Sequence, residues 1–172
     1  MSIKIIGVMF AVIAALATAG IATSLTSSVF AQEQKFTATL SGQEEVPPTT
    51  SQATGMAEFT VMGDNVGYTV NASNIEAVTA GHIHNGTQGE NGPVVVTLFT
   101  NESPTNEVSE TGSITADKLE GPMAGKQLTD LATAMTNGET YVNIHTEQNP
   151  EGEIRGQISS SAAMMSGGNS TG

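Results

Sequence analysis

From Lys35 onward the chain alternates apolar and polar positions in short runs broken by turn residues. A period of two puts alternate side chains on opposite faces of a strand, so each run predicts a β-strand with one buried face. Phe36, Ala38 and Leu40 form the first inward set, opposite Thr37, Thr39 and Ser41. Glu45-Val46-Pro47-Pro48 ends that run, because proline lacks the ladder N–H and restricts the residue before it. Ala57, Phe59 and Val61 are followed by the turn Gly63-Asp64-Asn65 and then by Val66, Tyr68, Val70 and Ala72, which reads as a hairpin. Further strands are predicted over Ala77 to His84, Pro93 to Phe99, Val108 to Thr115, Tyr141 to Thr146 and Glu153 to Ser159. The period changes once: Leu128, Leu131, Ala132 and Met135 fall at helical spacing, in a short helix ending near Asn137-Gly138.

This pattern predicts an all-β fold, a Greek-key antiparallel β-sandwich of about seven to eight strands with one short inserted helix. Aromatic residues make up only 4% of the chain. The core must therefore be built from Val, Ile, Leu and Ala, tightly packed and without a large apolar cavity.

The first thirty-one residues follow a different rule. Ile5 to Ala22 is an unbroken run of apolar, Ala, Gly and Thr residues, and Val29-Phe30-Ala31 supplies the small residues that signal peptidase prefers. Residues 1–31 are read as a signal peptide cleaved after Ala31, with an uncleaved N-terminal anchor as the competing reading. Residues 32–160 then form one exported domain, and 161–172, rich in Ser, Gly, Ala and Met, a flexible tail. Lys4 is the only charged residue before Glu33, so the part from Gln32 onward sets four cations against seventeen carboxylates, a net of −13. That charge excludes nucleic acid and an anionic membrane surface as partners, leaving membrane contact only through the N-terminal segment. With no cysteine, disulfides, thiolate metal sites and cysteine nucleophiles are also excluded.

Three histidines stand out. His82 and His84 are two apart, so on a strand they share a face about 7 Å apart. His145 lies on another predicted strand, on the parity of Tyr141 and Asn143 and opposite Val142 and Ile144. If the two strands adjoin, the three imidazoles form a site for copper or zinc with a position left open. The alternative is structural: imidazoles that hydrogen-bond backbone carbonyls or pair with Glu147, Glu151 or Glu153. Arg155, on the polar face of the last long strand, is expected to pair with Glu44 or Glu45 and clasp the first and last strands. No phosphate loop or nucleophile elbow is legible, which favours a non-enzymatic protein.

Five motifs occur in order: Leu40-Ser41-Gly42-Gln43-Glu44-Glu45-Val46-Pro47-Pro48, Thr79-Ala80-Gly81-His82-Ile83-His84-Asn85-Gly86, Asn91-Gly92-Pro93-Val94-Val95-Val96, Gly138-Glu139-Thr140-Tyr141-Val142-Asn143-Ile144-His145-Thr146, and Asn149-Pro150-Glu151-Gly152-Glu153-Ile154-Arg155-Gly156-Gln157-Ile158. Across about Phe36 to Ile158 the chain thereby resembles the chordin (CHRD) domain family. The resemblance implies an extracellular module, of the free-standing kind found in microbial exported proteins. A fainter resemblance links the His-x-His pair, Val142-x-x-His145 and a later arginine to the copper side of copper/zinc superoxide dismutases. This chain lacks the bridging histidine, the zinc loop and the disulfide of those enzymes, so their activity is not carried over.

The sequence is thus read as an exported binding or structural module of the cell surface or extracellular space, with an extracellular protein or surface component as its partner. The alternative reading is a copper- or zinc-binding metalloprotein. Self-assembly through strand edges is a third, in which the segment from Gln32 pairs between copies.

Overall fold

A computed structural model describes residues 33–161. The expected targeting segment, and the tail beyond Ser161, lie outside the described residues. Among the described residues nine strands form: β1 (Gln34–Ser41), β2 (Thr54–Met62), β3 (Asn65–Ser73), β4 (Val78–Asn85), β5 (Val94–Thr105), β6 (Val108–Ile114), β7 (Thr140–Thr146), β8 (Ile154–Gln157) and β9 (Ser159–Ser160). One helix, α1 (Leu128–Thr136), lies between β6 and β7. The fold is all-β and antiparallel with a single short helix, as the alternation predicts.

All nine strands belong to one sheet in the order β5-β4-β7-β8-β1-β2-β3-β6, with β9 paired to β1. The sheet curls over its own inner face, in the manner of a sandwich or barrel, so the two layers are joined by hydrogen bonds through β8 and β1. The Tyr68 hydroxyl on β3 donates to the Leu98 carbonyl on β5, which ties the two layers on the far side. β1 pairs with β2 along its whole length and with β8 and β9 on its other side. These pairs engage β1 on both sides within the chain, while Gln32 itself lies outside the described residues.

The inward sets behave as their periodicity requires. Phe36, Ala38, Leu40, Ala57, Phe59, Val70, Ile83, Val142, Ile144 and Ile154 are all buried in one core. Leu128, Leu131 and Met135 of α1 join it. The Asp130 carboxylate accepts a hydrogen bond from the Gln127 N–H at the start of the helix, and the Gly138 N–H donates to the Met135 carbonyl at its end.

What positions the candidate site is that β7 is buried on both faces, every residue from Thr140 to Thr146 being covered. Val142 and Ile144 face the core, whereas Tyr141, Asn143 and His145 face outward beneath loops. The loop between β4 and β5, residues 86–93, is one cover, since it supplies partners for His84, Tyr141 and Arg155. The loop between β7 and β8, residues 147–153, is another, since it supplies partners for His145 and Asn143.

Candidate metal centre

β4 and β7 are antiparallel neighbours, with His82 opposite Asn143, His84 opposite Tyr141 and Ala80 opposite His145. Residues directly opposite one another share a face, so this register puts all three histidines on the outward side of the sheet. The ring centroids of His82 and His145 are 4.8 Å apart, and each lies 5.8 Å from that of His84. One ring nitrogen from each histidine falls in a group whose members all lie within 4.8 Å of one another.

Backbone carbonyls fix two of the tautomers. His84 Nδ1 lies 2.9 Å from the Gly92 oxygen and His145 Nδ1 lies 3.0 Å from the Pro150 oxygen. A carbonyl only accepts, so both Nδ1 atoms carry the proton and both Nε2 atoms present a lone pair. Those two Nε2 atoms, together with His82 Nδ1, are buried and have no hydrogen-bond partner. Leaving a buried polar atom unpaired costs about 1–3 kcal/mol. One such atom on each member of a three-histidine cluster is what a shared partner would satisfy.

The electrostatics agree with neutral rings. Burial holds the proton affinity of all three histidines below the usual value, reinforced at His82 by its two histidine neighbours, which bring it to about 4. Metal ions bind the deprotonated imidazole, so near neutral pH there is no proton to displace from the rings. Zinc–imidazole bonds are about 2.0–2.1 Å, which sets tetrahedral ligand nitrogens about 3.3 Å apart. The rings would close in by about 1 Å around an ion. The chemistry available is a three-imidazole set with an open position, a set that suits zinc or copper.

A stack of side chains braces the centre. The Tyr141 ring lies nearly parallel to His84, 4.9 Å between centroids, and the Arg155 guanidinium stands 3.5 Å from the Tyr141 ring centroid. The Gly92 N–H donates to the Tyr141 hydroxyl, and the Gly92 carbonyl receives the His84 proton. Histidines that bind metals commonly donate their second N–H to such an acceptor, which fixes the ring's orientation.

Arg155 itself departs from the sequence expectation. It is buried, yet no ion pair joins it to Glu44 or Glu45; among the described residues the ion pair found is Lys35–Glu33. Its guanidinium turns instead toward the β4–β5 loop, donating to the carbonyls of Thr87 and Glu90, both at 2.9 Å, and to Asn91 Oδ1 at 3.2 Å. Five donors in a planar fork suit a loop that offers several oxygens at once. The first and last long strands are joined by the sheet ladder, Ser41 opposite Arg155. Glu44 is exposed and accepts a hydrogen bond from Gln88. Glu45 is buried, and desolvation raises its pKa to about 7 even though the Arg155 charge opposes that shift.

Sequence reasoning did not single out Tyr141, Asn91, Gly92 or Pro150. The parity of Tyr141 with His145 was a signal for the first. The others act through backbone or loop atoms, which residue type does not report.

The CHRD domain model matches residues 36–158. The chain belongs to the CHRD domain family. The match spans the described sheet from β1 to the end of β8, with all three histidines and Arg155 inside it. A search of curated proteins gives no match. CHRD domains are typically extracellular, and the family supports a binding or structural role. Among the described residues, no helix of this CHRD protein is long and apolar enough to cross a membrane.

Proposed function

We propose that this CHRD protein is an exported binding module whose specific capacity is to hold one copper or zinc ion through His82, His84 and His145. The observation that carries this reading is a cluster of three histidines, each offering a ring nitrogen within 4.8 Å of the others and each holding a buried ring nitrogen without a partner, with two of the rings oriented by carbonyls at Nδ1. A purely structural role accounts for the two Nδ1 contacts but leaves the buried nitrogens unpaired. The apolar N-terminal segment supports export, and a site made of histidines alone needs no reduced thiols.

The test is thermal unfolding of the purified protein with and without added Cu(II) or Zn(II). A ligand that binds only the native state stabilises it by about 2.7 kcal/mol when free ligand is 100 times its Kd. One bound ion per chain and a raised Tm are expected, both lost in His84→Ala/His145→Ala. No shift at excess metal overturns the proposal.

A further inference from the structure

A divalent ion placed among three neutral imidazoles brings two positive charges into a buried site, which favours a nearby anion. The neighbouring strand supplies one. His82 lies opposite Thr97 on β5, so their side chains share the outward face at strand spacing, about 5 Å. The Thr97 hydroxyl donates to Glu120 Oε1 at 2.7 Å. Glu120 is thus tethered one hydrogen bond away from the neighbour of His82.

The backbone holds Glu120 there. Its N–H donates to the Val95 carbonyl at 2.9 Å. The next residue, Gly121, has φ +55°, and a Cβ on it would stand 2.4 Å from the Val94 oxygen, so only glycine lets this segment lie against β5. His82 is the least buried of the three histidines, which makes its side the mouth of the site. Glu120 is itself only partly covered and keeps Oε2 free of any hydrogen bond to the protein among the described residues. A second carboxylate, Glu151, acts on His145, but it is exposed and its side chain makes no hydrogen bond among the described residues.

Resting on the metal reading above, we propose that Glu120 is the entry and closing ligand of the centre. It draws a divalent cation in past His82 and fills the open position with a carboxylate oxygen. The bound set is then three nitrogens and one oxygen, which the uncharged histidines alone do not provide. Its single negative charge attracts a divalent ion twice as strongly as Cu(I), so it matters more for Cu(II) and Zn(II) than for Cu(I).

The experiment compares wild-type protein with Glu120→Gln, Glu151→Gln and Thr97→Val. Affinity for Cu(II), Zn(II) and Cu(I) is measured by competition, together with the electron paramagnetic resonance spectrum of the Cu(II) form. Glu120→Gln is expected to weaken Cu(II) and Zn(II) binding by about 10-fold or more, as loss of a partly screened charge contact implies, and to change the Cu(II) spectrum. Cu(I) affinity should fall by only about 3-fold, since half the charge gives half the energy, a selectivity that a merely structural residue would not produce. Glu151→Gln should behave as wild type, and Thr97→Val, which keeps the carboxylate, should retain the wild-type spectrum. If wild-type protein binds no ion, the metal centre falls and this inference with it. If wild-type protein binds and Glu120→Gln matches it in affinity and spectrum, only the role of Glu120 is overturned.

Discussion

Arg155→Met removes the charge and the donor fork while keeping an unbranched side chain of similar length, so it isolates what the guanidinium contributes. Arg155 is 1% exposed, donates three hydrogen bonds to the β4–β5 loop and stacks on Tyr141. Hydrogen bonds from charged donors contribute about 1.5–3 kcal/mol each, and a desolvated cation–π contact about 2 kcal/mol. The simple sum overstates the loss. Thr87, Glu90 and Asn91 are exposed residues whose oxygens can turn to water once the loop loosens, and contributions within one network do not add. The buried cation also loses hydration in the native state, and methionine avoids that penalty. A net loss of about 3 kcal/mol is expected, which for a domain of this size lowers Tm by about 10 °C. Urea unfolding supplies the assay, with faster amide exchange in residues 87–91 as its local counterpart. Arg155→Lys should recover less than half of the loss, because one ammonium cannot reach three oxygens in a fixed fork. A loss below about 1 kcal/mol at unchanged m-value would refute the claim that Arg155 holds the loop.

Two further perturbations probe the same face of the sheet. Glu45 has a folded pKa of about 7 against a reference of 4.5, so the unfolded chain releases the proton first; its contribution is intact below about pH 4.5 and is lost as pH rises toward 7. The shift corresponds to about 3 kcal/mol, halved for partial solvent access to about 1.5, and Glu45→Gln should be more stable than wild type by that amount at pH 8 and equal to it near pH 4.5. Taking the difference between the two proteins removes the opposite slope that the histidines contribute in acid, and a difference that does not vary with pH would contradict the assignment. Gly92→Ala would place a Cβ 1.6 Å from the Asn85 oxygen, a backbone atom that cannot swing away. It should cost at least about 2 kcal/mol and weaken metal binding through His84, and a Tm within about 2 °C of wild type would contradict this.

The strands and the helix were legible because each has one face against the core. The alternation of Phe36, Ala38 and Leu40, and the helical spacing of Leu128, Leu131 and Met135, record that exposure directly. The parity of His145 with Tyr141 and Asn143 was legible for the same reason. The histidine cluster needed one fact that periodicity does not contain, that β7 pairs with β4 and not with its sequence neighbour β6. Arg155 was misassigned because charge suggests charge, whereas its partners are two carbonyls and an amide oxygen 64 to 68 positions away. The placement of Glu120 beside β5 was not legible because it comes from a glycine and a backbone hydrogen bond rather than from any motif.

The sheet order bears on how the chain reaches this state. β1 finds its inner partner only when β8 and β9 have formed, so Ser41 waits for Arg155, 114 positions later. Contacts that span so much of a chain slow folding, since loop closure precedes any gain from pairing. The sheet cannot join its two halves until nearly the whole domain is present. An emerging chain therefore stays open, with β1 and β2 able to form only a hairpin with β3, while its last strands are still to come. That delay makes the arrival of β8 and β9 the step that commits the fold.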